Sequence, residues 1–205
     1  GIYIAEEGQI FIDGKQVAIT GVNSARANGI SIIHQELVLV PYMTVAENIF
    51  LGREKVRGVV LSQREMEAEA AEVLGRLKID ISPRTVVGDL PISKQQMVEI
   101  AKALSMDARI LIMDEPTSAL TAREIEDLFR IIRDLRASDH GIVYISHRLE
   151  ELQHIVDRVT IMRDGKFITS VNFADTNMEE IIANMVGREI KEKFPKVVEG
   201  FEDLI

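Results

Sequence analysis

Three short apolar runs constrain the fold of this chain more than any other feature. They span Ser31 to His34, Arg109 to Met113 and Ile142 to Ile145, and each is bounded by polar or turn residues. Runs of this length and composition are typical of buried parallel strands. The sequence therefore predicts an α/β fold with these three strands in its core.

Two Asp-Gly dipeptides predict tight hairpins. Asp13-Gly14 is flanked by the apolar segments Gln9 to Ile12 and Lys15 to Ile19, and a second dipeptide stands at Asp164-Gly165. Asp and Gly both tolerate the positive φ angles that a two-residue turn between antiparallel strands requires. We expect a β-hairpin at each of these sites.

Capping boxes mark the starts of helices. In a capping box, the side chain of a Ser or Thr caps the first turn, and the side chain of an acid or amide three residues later bonds to the backbone N–H of that Ser or Thr. Four pairs fit this pattern: Thr44/Glu47, Ser62/Glu65, Ser93/Gln96 and Thr121/Glu124. Behind the last three pairs, apolar residues recur at helical spacing and predict helices that pack on the core. A further helix with an acidic first turn is expected beyond Asn177, ending near Gly187.

The order of these elements predicts three regions. Residues 1–36 and 106–172 are expected to form an α/β core, residues 37–105 an inserted α-helical subdomain, and residues 173–205 a C-terminal helix with a charged linker. With 205 residues and 46% hydrophobic content, the chain is long enough to bury such a core. Its longest apolar runs are far shorter than the roughly 18 residues of a membrane span.

The charge balance excludes some partners. The formal net charge is −9 and no long Lys/Arg run is present, which argues against nucleic acid and against anionic membrane surfaces, since both contacts are chiefly electrostatic. The chain has no cysteine, so it has neither a disulfide framework nor a thiolate metal site.

Polar residues follow each predicted parallel strand, at the edge where ligands bind in open α/β sheets. Gln35 follows the first strand, Asp114 and Glu115 the second, and His147 the third. Phosphoryl transfer needs groups of these kinds, because Mg²⁺ prefers oxygen ligands and an attacking water needs a base or a positioning group. Two adjacent acids alone are more typical of a solvated strand end, so this interpretation depends on the residues around them.

Those surrounding residues carry a family resemblance. MDEPTSAL at Met113 to Leu120 resembles the Walker B and D-loop segment of ABC ATPases. HQE at His34 to Glu36 resembles the Q-loop, KQQMVEIAKAL at Lys94 to Leu104 the signature helix, and ISHRLEEL at Ile145 to Leu152 the switch-histidine segment. The resemblance implies the P-loop NTPase fold of ABC ATPases, here incomplete, with its inserted α-helical subdomain.

By position, the resemblance implies roles for the four residues at the strand ends. Asp114 would hold Mg²⁺ partly through water, and Gln35 would join it as a metal ligand and sense the γ-phosphate. Glu115 would activate the hydrolytic water, and His147 would contact the γ-phosphate and organise that water. The other histidines match no metal-ligand spacing and are expected to be structural: His34, His140 and His154.

The signature-like segment departs from the family's usual Leu-Ser-Gly-Gly-Gln, because Pro91 supplies neither a hydroxyl nor an N–H. The resemblance implies that Ser93, Lys94 and Gln95 would contact the ATP of an opposing domain, using a helix start that favours phosphate. We expect Ser93 to cap this helix and to make a weakened rather than an absent phosphate contact.

No G-x-x-x-x-G-K-[ST] loop exists in the chain, although this loop cradles the phosphates in P-loop ATPases. The nearest imitation runs from Gly8 to Gly14 and Lys15, has one residue too many, and lies on a predicted hairpin. We therefore expect that a phosphate-binding segment precedes Gly1 in the natural protein. We also expect that this chain alone does not turn over ATP and that it associates through an uncovered sheet.

The wording of SALTAREIEDLF, QQMVEIAKAL and MVGREI is most similar to the first ATPase half of importers of ribose-, xylose- or galactose-like sugars. This implies an ATP-hydrolysing subunit that uses ATP and Mg²⁺ and lies peripherally on the cytoplasmic side of the cell membrane. Its partners would be transmembrane permease subunits, a second ATP-binding half and, indirectly, a sugar-binding protein. Two alternatives stay open: a non-hydrolysing partner domain with a degenerate signature, and a soluble ABC ATPase not linked to transport.

Overall fold

The computed structural model describes residues 3–58, 60–106, 108–118 and 120–187, in two compact units, Gly1–Arg148 and Leu149–Ile205. The strands are Ile10–Ile12 (β1), Lys15–Val17 (β2), Ile30–Ile33 (β3), Val56–Arg57 (β4), Val60–Leu61 (β5), Ile110–Asp114 (β6), Gly141–Ile145 (β7), Arg158–Arg163 (β8) and Lys166–Asn172 (β9). The α-helices are Val22–Ala27 (α1), Val45–Phe50 (α2), Gln63–Arg76 (α3), Ile92–Leu104 (α4), Ala122–Ala137 (α5), Leu149–Leu152 (α6) and Met178–Val186 (α7). The three-region division expected from the sequence stays a prediction.

A three-stranded parallel sheet in the order β3-β6-β7 lies in the first unit. Ile32 pairs with Ile112, and Ile112 pairs with Val143. The prediction of three parallel strands is therefore confirmed. Because all three strands run the same way, their carboxyl ends meet at one edge of the sheet.

The two faces of this sheet differ in burial. On one face, Ile33 and Leu111 are 0% exposed. On the other face, Ile32, Val143 and Ile145 are 45%, 49% and 46% exposed. The sequence predicted buried core strands, and the part of the chain that the structure describes covers one face of them.

Two of the four expected capping boxes are confirmed. At α2, Thr44 N donates to Glu47 Oε2 at 2.7 Å, and Glu47 N donates to Thr44 Oγ1 at 3.2 Å. At α5, the capping box of Thr121 and Glu124 has the N–H and the hydroxyl of Thr121 both donating to Glu124 Oε2 at 2.8 Å. The predicted apolar stripes of α3 and α5 are buried, with Ala70 and Leu128 among those at 0% exposure.

The predictions of the other two capping boxes are wrong. Ser62 occupies the N-cap position of α3, but its side chain accepts no capping bond. Helix α4 begins at Ile92 with Pro91 as its N-cap, so Ser93 lies inside the first turn and does not cap the helix. The carbonyl of Pro91 already accepts from Gln95 N at 3.0 Å, which starts the helix two residues earlier than expected. A proline suits this place. The N–H groups at the start of a helix have no intrahelical partner, and a proline has no backbone N–H that would be left unpaired.

Both predicted Asp-Gly hairpins are confirmed, as β1-β2 and β8-β9. Asp13 and Gly14 have φ angles of 50° and 73°, and Asp164 and Gly165 have 51° and 72°. The antiparallel pair β4-β5 was not expected, and it interrupts the stretch predicted to be helical. Its strands have two residues each, which is too short to show a pattern in the sequence.

The second unit contains the β8-β9 hairpin and α7 around a small core of Val159, Ile161 and Ile181. The predicted helix is confirmed: Asn177 caps it by accepting from Glu180 N at 2.9 Å, and Gly187 ends it with φ 75°. The predicted linker from residue 188 onward lies outside the described residues. Among the described residues, no helix combines the length and the apolar character that crossing a membrane requires.

Candidate active site

The predicted chemical groups lie at the carboxyl edge of the parallel sheet. Gln35 stands two residues beyond β3, Glu115 follows β6 directly, and His147 stands two residues beyond β7. The parallel order brings these three chain segments to one edge, where ligands bind in open α/β sheets.

Glu115 is the centre of this group. One carboxylate oxygen, Oε2, accepts from Gln35 Nε2 at 3.1 Å. The other oxygen, Oε1, lies 2.9 Å from His147 Nδ1. The side chain of Glu115 is 26% exposed and that of His147 is 67% exposed, so the group is open to a ligand from solvent.

The backbone of Glu115 is held in an uncommon conformation. Its φ angle is 45°, a left-handed value that costs a residue other than glycine about 1–3 kcal/mol. Its N–H donates to the carbonyl of Ile145 at 2.9 Å, which ties Glu115 to the end of β7. The same strand leads into His147, so one backbone bond aligns both side chains. Strain of this kind is typical of functional sites.

The contact between His147 and Glu115 assigns the ring nitrogens. A carboxylate oxygen only accepts hydrogen bonds, so Nδ1 of His147 is the donor. In the neutral ring, Nε2 is then an acceptor, and in the protonated ring it is a second donor. His147 can therefore present either an acceptor or a charged donor to a ligand while Glu115 holds the ring in place.

Asp114 is the last residue of β6 and pairs with Ile145. It lies on the same face of the sheet as Val143, the face that the described residues leave partly open. Among the described residues, no cluster of three or more His, Cys, Asp or Glu side chains could hold a metal by itself. One carboxylate with a nearby amide suits Mg²⁺, which is commonly held by one or two carboxylates together with waters and the phosphates of a substrate.

The three residues predicted for the signature-like segment lie at the start of α4. The hydroxyl of Ser93 donates to the carboxylate of Glu124, and Ser93 is only 8% exposed. Lys94 Nζ donates to the carbonyl of Asp80 at 3.1 Å, and Gln95 Nε2 donates to the carbonyl of Leu90 at 2.9 Å. The structure thus brings Gln35, Glu115 and His147 together and places the signature-like residues in a separate set of contacts. A cleft of about 530 Å³ lies beside Ser93 and Lys94.

Glu124 is held ionised by its neighbours. Its pKa lies below the ordinary value, first because the Ser93 hydroxyl donates to it, and next because the N–H and hydroxyl of Thr121 donate to it. Hydrogen bonds to a carboxylate favour the charged form. The Ser93 hydroxyl, the group predicted to contact phosphate, is therefore the first cause of the lowered pKa of Glu124.

The segment from Gly8 to Lys15, which only superficially resembles a phosphate loop, contains the turn of the β1-β2 hairpin. Asp13 and Gly14, both with positive φ, form the β1-β2 turn, and Lys15 is the first residue of β2. A phosphate-binding loop instead joins a strand to a helix whose N-terminal N–H groups face the phosphates. The prediction that this segment is not a phosphate loop is confirmed.

Sequence reasoning did not identify the polar residues that hold the segment after Gln35. Glu99 and Lys102 of α4 bond to the backbone of Val38, and Asn48 of α2 bonds to the backbone of Val40. One signal was present in the sequence: Glu99 is a charged residue directly between the apolar residues Val98 and Ile100.

The sequence matches known proteins over nearly its whole length. The family model described as ABC transporter matches residues 1–118. A ribose/galactose/methyl galactoside import ATP-binding protein of Burkholderia lata is 54% identical over 196 residues, which cover 95% of this chain and 38% of the relative. A protein of the same description from Agrobacterium fabrum is 51% identical, over 96% of this chain and 39% of the relative. The chain thus spans less than half the length of these relatives.

Solved structures agree with this sequence match at the level of the fold. A nucleotide-free ATP-binding cassette from an ABC transporter has a TM-score of 0.74 at 24% identity, covering 97% of this chain and 78% of that one. A second cassette of an ABC transporter has a TM-score of 0.76 at 22% identity, covering 90% and 79%. The predicted fold class, the ABC ATPase fold with mixed α/β structure, is confirmed.

Proposed function

The chain belongs to the ABC transporter family, and we propose that the whole protein is an ATP-hydrolysing subunit that energises import of a simple sugar. The observation that carries the proposal is the position of Glu115, with Gln35 on one carboxylate oxygen and His147 on the other. A carboxylate on a strained strand end, oriented by two side chains, is suited to accept a proton from an attacking water.

The three groups have distinct proposed roles. Glu115 accepts the proton of the attacking water. His147 keeps Glu115 oriented through Nδ1 and presents Nε2 to the γ-phosphate. Gln35 donates one amide hydrogen to Glu115, and its carbonyl oxygen remains to reach a metal ion or the water.

ATP and Mg²⁺ are the proposed cofactors. Asp114 would hold the metal through water, with Gln35 beside it, and the donor set of one carboxylate and one amide oxygen fits an ion that keeps most of its waters. When bound, Mg²⁺ neutralises charge that develops on the phosphates. Ser93, Lys94 and Gln95 are proposed to approach the ATP of an opposing domain, which requires Ser93 to leave the carboxylate of Glu124.

The residues of this chain do not supply a phosphate loop. Charge-assisted hydrogen bonds contribute about 1.5–3 kcal/mol each, so lacking three such bonds weakens ATP binding on the order of thousandfold or more. We therefore propose that this chain alone binds ATP weakly and does not turn it over.

The relatives support a proposal about partners and location. The proteins from Burkholderia lata and Agrobacterium fabrum are described as sugar import ATP-binding proteins, and one structural neighbour is a dimeric cassette with ADP and phosphate. We propose permease subunits and a second ATP-binding half as direct partners, a sugar-binding protein as an indirect one, and a peripheral position on the cytoplasmic side of the membrane. Uptake of ribose, xylose and galactose by a deletion strain tests this proposal, and unchanged uptake of all three sugars would contradict it.

The second candidate function is a partner domain that hydrolyses nothing and contributes only its signature-like segment to a complete ATPase. Mg-ATP calorimetry separates the two candidates, using this chain beside a fusion in which a phosphate-binding strand, loop and helix precede Gly1. Tight binding by the fusion alone supports the ATPase, whereas weak binding by both forms favours the partner domain.

A further inference from the structure

The segment that follows Gln35 is held by its backbone. Val38 lies three residues beyond Gln35, and its side chain is 58% exposed, so apolar packing does not anchor it. Its N–H nevertheless donates to Glu99 Oε1 at 2.9 Å, and its carbonyl accepts from Lys102 Nζ at 3.2 Å. Both backbone groups of Val38 are therefore bonded to side chains of α4.

Glu99 lies where a carboxylate is expensive to place. It is 9% exposed, and its neighbours Val98 and Ile100 are 0% exposed. A buried polar group must be hydrogen-bonded to be tolerated, and the bond from Val38 N–H meets that need. An apolar residue would serve helix packing at least as well, so the contact with Val38 is the feature that explains a glutamate here.

A second attachment lies two residues further along. Asn48 of α2 is 0% exposed, and its Oδ1 accepts from Val40 N at 2.7 Å while its Nδ2 donates to the Val40 carbonyl at 3.0 Å. Alternate residues of an irregular segment thus have both backbone groups bonded by side chains. This arrangement fixes the path of the chain in the way that a neighbouring strand would.

The clamped segment joins the candidate active site to α4. At one end, Gln35 donates to Glu115. At the other, Glu99 and Lys102 belong to the helix that begins with the signature-like residues. Only two residues, Glu36 and Leu37, separate Gln35 from Val38. The position of Gln35 relative to Glu115 therefore depends on where α4 holds Val38.

We propose that Glu99, assisted by Lys102, is a positioning residue that sets Gln35 against Glu115 by binding the backbone of Val38. Its effect on ATP hydrolysis rests on the proposed function, whereas the clamp itself is a property of this chain. The two parts are tested separately, so that either can fail without the other.

Hydrogen exchange in this chain tests the clamp. Replacing Glu99→Leu removes the acceptor, and we expect the Val38 amide to exchange about tenfold faster or more, with Val40 changed by less than about twofold. The variant Glu99→Gln keeps an acceptor oxygen and should exchange as the wild type does. The amide of Leu111 in β6 reports whether the sheet is intact. Unchanged exchange at Val38 in Glu99→Leu would overturn the clamp. If Glu99→Leu unfolds the chain, Lys102→Met serves as the second variant.

Kinetics of the whole protein test the consequence. We expect Glu99→Leu to lower kcat about tenfold and to leave KM for ATP within about twofold of the wild type. We expect Glu99→Gln to keep most of the wild-type kcat. In a Gln35→Ala background, Glu99→Leu should have no further effect, since residues that act through one another are not additive. Full additivity would overturn the positioning role.

The exposed Glu72 on α3 provides the matched control, Glu72→Leu. A parent protein without ATPase activity would contradict the proposed function instead, and the exchange result at Val38 would still decide the clamp.

Discussion

His147 Nδ1 lies 2.9 Å from Glu115 Oε1, although 31 residues separate the two in the sequence between the ends of β6 and β7. The bond from Glu115 N–H to the Ile145 carbonyl brings the two strand ends into register. The contact therefore depends on the parallel pairing of β6 with β7, and disturbing that pairing at Ile145 would separate the two groups.

The capping boxes give a prediction about stability. Replacing Thr44→Ala removes a side-chain bond at the start of α2 and should lower the free energy of unfolding by about 1 kcal/mol. Ser62→Ala is the matched control, because Ser62 occupies an N-cap without a capping bond and should change stability by less than about 0.5 kcal/mol. Urea unfolding of both variants measures the difference, and equal losses would contradict the assignment.

Glu124 gives a prediction about pH. Its folded-state pKa is depressed, so its ionised form stabilises the fold at pH above the ordinary value, and this contribution is lost as pH falls through the folded pKa. The Ser93 hydroxyl is the largest cause of the depression, so Ser93→Ala should raise the pKa of Glu124 toward its ordinary value. NMR titration of the Glu124 carboxyl carbon measures this shift.

The control for that titration is Ser138→Ala, at the far end of α5. The hydroxyl of Ser138 donates to the Asp134 carbonyl, so this variant should leave the pKa of Glu124 unchanged. The same pKa in Ser93→Ala and in the wild type would show that Ser93 is not the main donor to Glu124.

The open sheet face gives a prediction about association. Ile32, Val143 and Ile145 form an exposed apolar surface on paired strands, and such surfaces promote self-association. We expect the isolated chain to sediment as oligomers and to bind a hydrophobic dye, and Val143→Thr with Ile145→Thr to reduce both effects. Val60→Thr, on the exposed β4-β5 hairpin, is the control. A wild-type chain that stays monomeric at high concentration would refute this prediction.

Local patterns in the sequence predicted much of the fold. The parallel strands were found because apolar runs bounded by turns are a local signal, and the hairpins because Asp-Gly suits positive φ angles. The same reasoning failed at Ser93, because a Ser followed three residues later by Gln matches a capping box whether or not the helix starts there. The helix starts earlier, after Pro91.

The candidate site was predictable in part. The strand ends that carry Gln35, Glu115 and His147 could be read from the order of strands, although their roles stay predictions. The contact between Glu99 and Val38 could not, since its partners lie 61 residues apart and one of them is a backbone N–H that any residue supplies. Contacts of this kind depend on the packing of α4 against the segment after β3, which no local pattern records.

ATP hydrolysis by the whole protein with Mg²⁺ tests the account most directly, comparing Glu115→Gln with the wild type. Glu115→Gln keeps the shape and one of the two hydrogen-bond acceptors but cannot take a proton, so we predict a fall in kcat of about 10²–10⁴-fold. The exposed Glu126 on α5 supplies the control, Glu126→Gln, which should retain wild-type turnover. Turnover by Glu115→Gln within about twofold of the wild type would contradict the assignment of Glu115 as the base and, with it, the proposed active site.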